Sequence, residues 1–70
     1  MEITRVIKIP MADMDIIEIK NHDEDTYEYY VRYECNADFN FMFAVHPDDR
    51  FTENSLRVLA VNGYFDEVGD

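Results

Sequence analysis

Only one cysteine, two glycines, two prolines and six Lys or Arg residues occur among the 70 positions of this chain. Each scarcity excludes something. The lone Cys35 leaves no intrachain disulfide, so the fold cannot be stapled that way, and a single thiol fits a reducing compartment. No stretch approaches the ~20 consecutive apolar residues that a membrane helix needs. The opening MEITRVIKIP holds neither an apolar signal core nor small cleavage-type residues, so the expected setting is cytoplasmic and away from membranes. Gly63 and Gly69 are the only glycines, and Pro10 and Pro47 the only prolines. No linker, repeat or low-complexity tract separates the chain into parts, and residues 1–70 are expected to form one small acidic domain.

What is present is apolar and acidic. Hydrophobic residues make up 47%, with five Phe and five Tyr. That is too apolar for intrinsic disorder, whose mark is low hydrophobicity combined with high charge. A chain this short buries only ~60% of the surface its unfolded form exposes, so a partner or a second copy could supply part of its stability. Sixteen Asp and Glu against six Lys and Arg give a net charge of −10. Nucleic-acid phosphates and anionic lipids repel such a chain, which argues against direct binding to either. A basic partner is favoured electrostatically, and solubility alone is the plainer use of the same charge.

Hydrophobic patterning predicts an α+β fold. Residues 2–9 (EITRVIKI) read as a first strand stopped by Pro10, with Ile3, Ile7 and Ile9 on one face and Arg5 interrupting it. Residues 14–20 form a second strand, with Ile17 and Ile19 opposite Glu18 and Lys20. NHDED is a turn, since Asn and Asp side chains bond readily to nearby backbone. Residues 26–35 are the clearest strand: Tyr27, Tyr29, Val31, Tyr33 and Cys35 alternate with Glu28, Tyr30, Arg32 and Glu34. Residues 39–46 follow, with Phe39, Phe41, Phe43 and Val45 on one face and Asn40, Met42, Ala44 and His46 on the other. Short connections make an antiparallel meander of three to four strands. A C-terminal helix over about 53–62 then covers one face. Thr52 suits its N-cap, Phe51 and Leu56 a hydrophobic staple, and Leu56, Leu59, Ala60, Gly63 and Tyr64 its buried stripe. Gly63 suits a left-handed stop with Tyr64 packing back. The rival reading is an Asn62-Gly63 hairpin, which would make the domain all-β.

Catalytic and cofactor readings fail on chemistry. Paired-carboxylate catalysis needs two acids in a cleft with separated pKa values, and a domain this small has little room for one. His22 and His46 lack the spacing of a metal motif and read as surface residues. The run from Asp23 has Glu28 where a calcium-binding EF-hand loop needs glycine, and no flanking helices. Cys35, beside Glu34 and near Asp38, lacks the electropositive setting of a nucleophile and reads as a buried thiol. The expectation is a non-enzyme without cofactor or metal.

The charge is uneven. Residues 13–38 hold nine acids against Lys20 and Arg32, a local net of −7. Side chains on one face of a strand recur every ~6.6 Å, so acids on a strand and its turn can present a row of negative charge, as nucleic acid does. In size, acidity and lack of catalytic motifs the chain resembles small phage-encoded anti-defence proteins, the anti-CRISPR proteins and other DNA mimics. That resemblance implies an inhibitor in the host cytoplasm that occupies the basic surface of a protein or nucleoprotein complex. By this analogy the binding residues are Asp23, Glu24, Asp25, Glu28, Tyr30 and Glu34. Tyr30 stands out because it falls on the outward phase between Glu28 and Arg32. The second reading is a non-catalytic assembly module that homodimerises, or docks into a complex, through an exposed sheet face around Ile16, Tyr30 and Met42.

Overall fold

The computed structural model describes residues 2–33 and 40–65. Four strands form one antiparallel sheet in sequence order: β1 (Glu2–Ile9), β2 (Met14–Asn21), β3 (Thr26–Tyr33) and β4 (Asn40–Val45). One helix, α1 (Glu53–Val61), follows. This is the expected α+β meander with a helical cover. The Asn62-Gly63 pair ends a helix instead of turning a hairpin; Gly63 sits at φ 78°, a left-handed conformation that costs glycine little.

Local chemistry explains the connections. A single 3₁₀ turn opened by Pro10 joins β1 to β2 and ends at Asp13 in the left-handed region. Between β2 and β3 the Asn21 side chain accepts hydrogen bonds from the backbone N–H of Asp23 and Glu24, at 3.1 Å each. Asn21 thus closes the turn by the expected side-chain mechanism. At the start of α1 the Thr52 hydroxyl accepts from the Ser55 N–H at 3.1 Å, satisfying one of the donors a helix N-terminus leaves open.

The core lies between one sheet face and the helix. Ile7, Ile9, Met14, Ile16, Tyr29 and Val31 from the sheet meet Leu56, Ala60 and Phe65. Phe65 is 1% exposed and stacks on Phe43, whereas Tyr64 remains 42% exposed with its ring edge toward Phe43. The aromatic that packs back after Gly63 is therefore Phe65, not Tyr64.

Two bulges change the face assignments. The β2–β3 ladder runs unbroken from Met14↔Tyr33 to Asn21↔Thr26. In β1, Ile3 pairs with Ile19 but Arg5 pairs with Glu18, so Thr4 is an extra residue. In β4, Phe43 pairs with Tyr29 but Phe41 pairs with Tyr30, so Met42 is extra. Each insertion shifts the alternation by one. Arg5 keeps its expected place on the face of Ile7 and Ile9, which is the core face, while Ile3 goes to the opposite face. Phe41 joins the outer face, and Met42 packs against the core. The expected groupings Ile3/Ile7/Ile9 and Phe41/Phe43/Val45 are thus each split. Phe39, Glu34 and Cys35 lie outside the described residues.

Candidate protein-binding surfaces

The most elaborate polar arrangement is inside. Glu18 falls on the core face of β2 and is 0% exposed. Its Oε1 accepts from Thr4 Oγ1 (2.7 Å), Arg5 Nε (3.1 Å) and Arg50 Nη2 (2.8 Å). Its Oε2 accepts from Arg5 Nη2 (2.6 Å), the Tyr29 hydroxyl (2.7 Å) and Arg50 Nε (3.2 Å). Burial alone would raise this carboxyl, but the hydrogen bonds from Arg5, Arg50, Tyr29 and Thr4 outweigh it and hold the pKa at about 2. The same contact, added to burial, pushes the Tyr29 hydroxyl up to about 12. With every lone-pair direction occupied and no access to solvent, Glu18 cannot take a proton from a substrate.

This cluster is a structural joint. Arg50 comes from the segment between β4 and α1. The Tyr29 hydroxyl also accepts from the Phe51 N–H at 3.2 Å, and Arg5 Nη2 donates to the Phe51 carbonyl. Both bonds dock the chain just before Thr52, which fixes where α1 begins. Sequence reasoning counted Glu18 among the surface acids. The signal that could have found the pair is an acid and a base, Glu18 and Arg5, each on the apolar phase of neighbouring strands.

The cluster also changes the charge map. Two of the six cations, Arg5 and Arg50, serve one buried acid. Arg32 pairs with Asp15 at 2.9 Å and Arg57 with Glu53 at 2.9 Å. Lys20 pairs with Asp25 at 2.7 Å and lies 4.7 Å over the Tyr27 ring. The Lys20 hydrogen bond holds the Asp25 carboxyl below its ordinary value. Few positive groups remain to offset the exposed acids.

Antiparallel topology then gathers those acids. The start of β1, the β2–β3 turn and the exit of β4 share one end of the sheet. Glu2, Asp23, Glu24, Asp25, Asp48 and Asp49 lie there, all exposed. The imidazoles of His22 and His46 stand close enough to favour the ionised Asp25, and His22 Nε2 is 3.3 Å from Glu2. The side chains of Asp23, Glu24, Asp48 and Asp49 have no hydrogen bond or ion pair among the described residues.

The sequence-predicted residues therefore divide. Asp23, Glu24 and Asp25 are at this acidic end. Glu28 and Tyr30 stand on the outer face of the sheet, where the Tyr30 hydroxyl donates to Glu28 at 3.1 Å. Tyr30 is outward as expected, but its neighbours are not Ile16 and Met42. Ile16 is 0% exposed on the core face. Tyr30 instead pairs across the sheet with Ile17 and Phe41, its ring 5.2 Å from that of Phe41. Glu34 lies outside the described residues. Sequence reasoning missed Asp48, Asp49 and Glu2, because only the strand order shows that they share an end of the sheet with the β2–β3 turn.

Among the described residues no group of three or more His, Cys, Asp or Glu is placed to hold a metal ion. No described helix is long and apolar enough to cross a membrane. No protein-family model matches the chain, no curated protein matches its sequence, and no solved structure matches its fold.

Proposed function

We propose that this chain is a non-catalytic binding protein that sets the acidic end of its sheet against a basic, nucleic-acid-binding surface of a partner and blocks it. The observation that carries this reading is the placement of six exposed acids at one end of the meander, where Lys20 pairs with Asp25 but Asp23, Glu24, Asp48 and Asp49 have no ion pair among the described residues. The turn acids are held on a short, side-chain-closed loop. Little conformational freedom is lost when such a loop docks. Attraction of this kind accelerates encounter and selects for positive partners, and a partner surface built to neutralise phosphates meets the same spacing-tolerant requirement.

The test is competition. The domain is immobilised and exposed to cell lysate at about 0.05 M and about 0.5 M salt, where screening lengths differ severalfold. A nucleic-acid-binding protein retained at the lower salt, released at the higher, and displaced by added duplex DNA is the expected result. The variant Asp23→Asn/Glu24→Gln/Asp48→Asn/Asp49→Asn keeps the fold and loses retention. Retention that neither salt nor DNA disturbs, or that survives this variant, sinks the reading.

A further inference from the structure

The acidic end does not account for the outer face of the sheet. An apolar row runs straight across all four strands there: Val6, Ile17, Tyr30 and Phe41 are consecutive cross-strand partners, Phe41 by virtue of the β4 bulge. Ile3 and Ile19 form a second, shorter row beside it. Ile17 is 3% exposed, yet Ile3, Val6 and Phe41 are 62%, 51% and 55% exposed. Among the described residues nothing covers them, because α1 occupies the other face.

From the arrangement of charge about this row we infer that the outer face binds a second copy of the same chain, through a two-fold axis running along the row. On β3, Glu28 and Arg32 stand two residues to either side of Tyr30. Rotation about the row turns each strand end for end over its own copy. Arg32 of each chain then faces Glu28 of the other, giving two exchanged ion pairs about the central tyrosines. Arg32 also bonds Asp15, and a guanidinium has five donors to share among its partners. Such an interface is self-complementary, as an isologous dimer requires.

Long-range repulsion selects the same axis. A two-fold along the strands would bring the two acidic ends together. The axis along the row instead separates them by the length of the sheet, about 26 Å for eight residues, against a screening length of about 8 Å. Four strands at about 4.8 Å spacing make a face of about 500 Å², so a dimer covers about 1,000 Å² in total. That area is at the lower end for specific association, and the dimer is a weak, reversible one.

Sedimentation equilibrium from about 1 µM to about 1 mM chain spans the relevant affinities. The apparent mass is expected to rise from one chain to two across this range. Val6→Asp and Phe41→Asp, at exposed positions, should each raise the dissociation constant at least tenfold with an unchanged circular dichroism spectrum. The deciding variants are Glu28→Lys and Arg32→Glu. Each alone sets like charges face to face and weakens self-association. Mixed in equal amounts, they restore both ion pairs, so the mixture should dimerise more tightly than either variant. A single-chain mass throughout overturns the proposal, as does a dimer unaffected by Val6→Asp and Phe41→Asp. A mixture no heavier than its components overturns the axis. Partner retention by the acidic end is read separately, because these variants leave its residues untouched: absence of self-association with retention intact counts against the dimer alone.

Discussion

At the scale of single residues, Glu18 has the largest predicted effects. Its pKa is about 2 when folded, against an ordinary 4.5. A depressed carboxyl contributes stability that is complete above the unfolded value and lost as pH falls toward the folded one. The loss should therefore fall between about pH 4.5 and pH 2 and reach about 3 kcal/mol. Urea titrations of wild type and Glu18→Gln across that range check it: the gap between them should close as pH drops. Removing the acid alone leaves two guanidinium groups facing a buried site, so Glu18→Leu should cost about 3–5 kcal/mol at neutral pH. Replacing the whole group, as Arg5→Met/Glu18→Leu/Arg50→Met, should recover most of that loss. A triple variant no more stable than Glu18→Leu would show that the ion cluster itself, and not merely its completeness, holds the fold.

Among elements, α1 and β4 differ in how far the sequence revealed them. The helix was legible because three local signals agreed: Thr52 as cap, Phe51 with Leu56, and the Leu56–Ala60 stripe. Thr52→Ala should cost about 1 kcal/mol and Thr52→Ser little, measured by thermal unfolding. The β2–β3 hairpin was legible for the same reason, since Asn21 closes its turn locally. The edge strands were not. Alternation predicts faces only while no residue is inserted, and neither Thr4 nor Met42 carries a mark of its insertion. The phases of β2 are also balanced, with Ile17 and Ile19 on one and Met14 and Ile16 on the other, so the core face could not be chosen by apolarity. The bulge in β4 has a direct test. Phe43→Ala removes a ring that packs on Tyr29 and Phe51 and should cost about 3 kcal/mol. Phe41→Ala, at dilutions where the chain is monomeric, should cost under about 1 kcal/mol. Equal losses would mean that Phe41 and Phe43 share the core face.

For the whole molecule, the fold class followed from the sequence, whereas the candidate site did so only in part. The turn acids and outward Tyr30 were visible along the chain; the gathering of Glu2, Asp48 and Asp49 beside them is a product of strand order. Charge counted along a segment misled at Glu18, whose two arginine partners are 13 and 32 residues away. A further property follows from where the bulges sit. An open four-stranded meander has two free margins, and unpaired backbone along such margins invites runaway stacking of one molecule on the next. Here the ladder is regular between the two inner strands, and both irregularities fall on β1 and β4. Thr4 and Met42 break the even spacing of donors and acceptors and sharpen the local twist, so a straight strand from another molecule finds no continuous register along either margin. The insertions that bring Ile3 and Phe41 to the outer face thus also guard the domain against fibre-like growth at its sides.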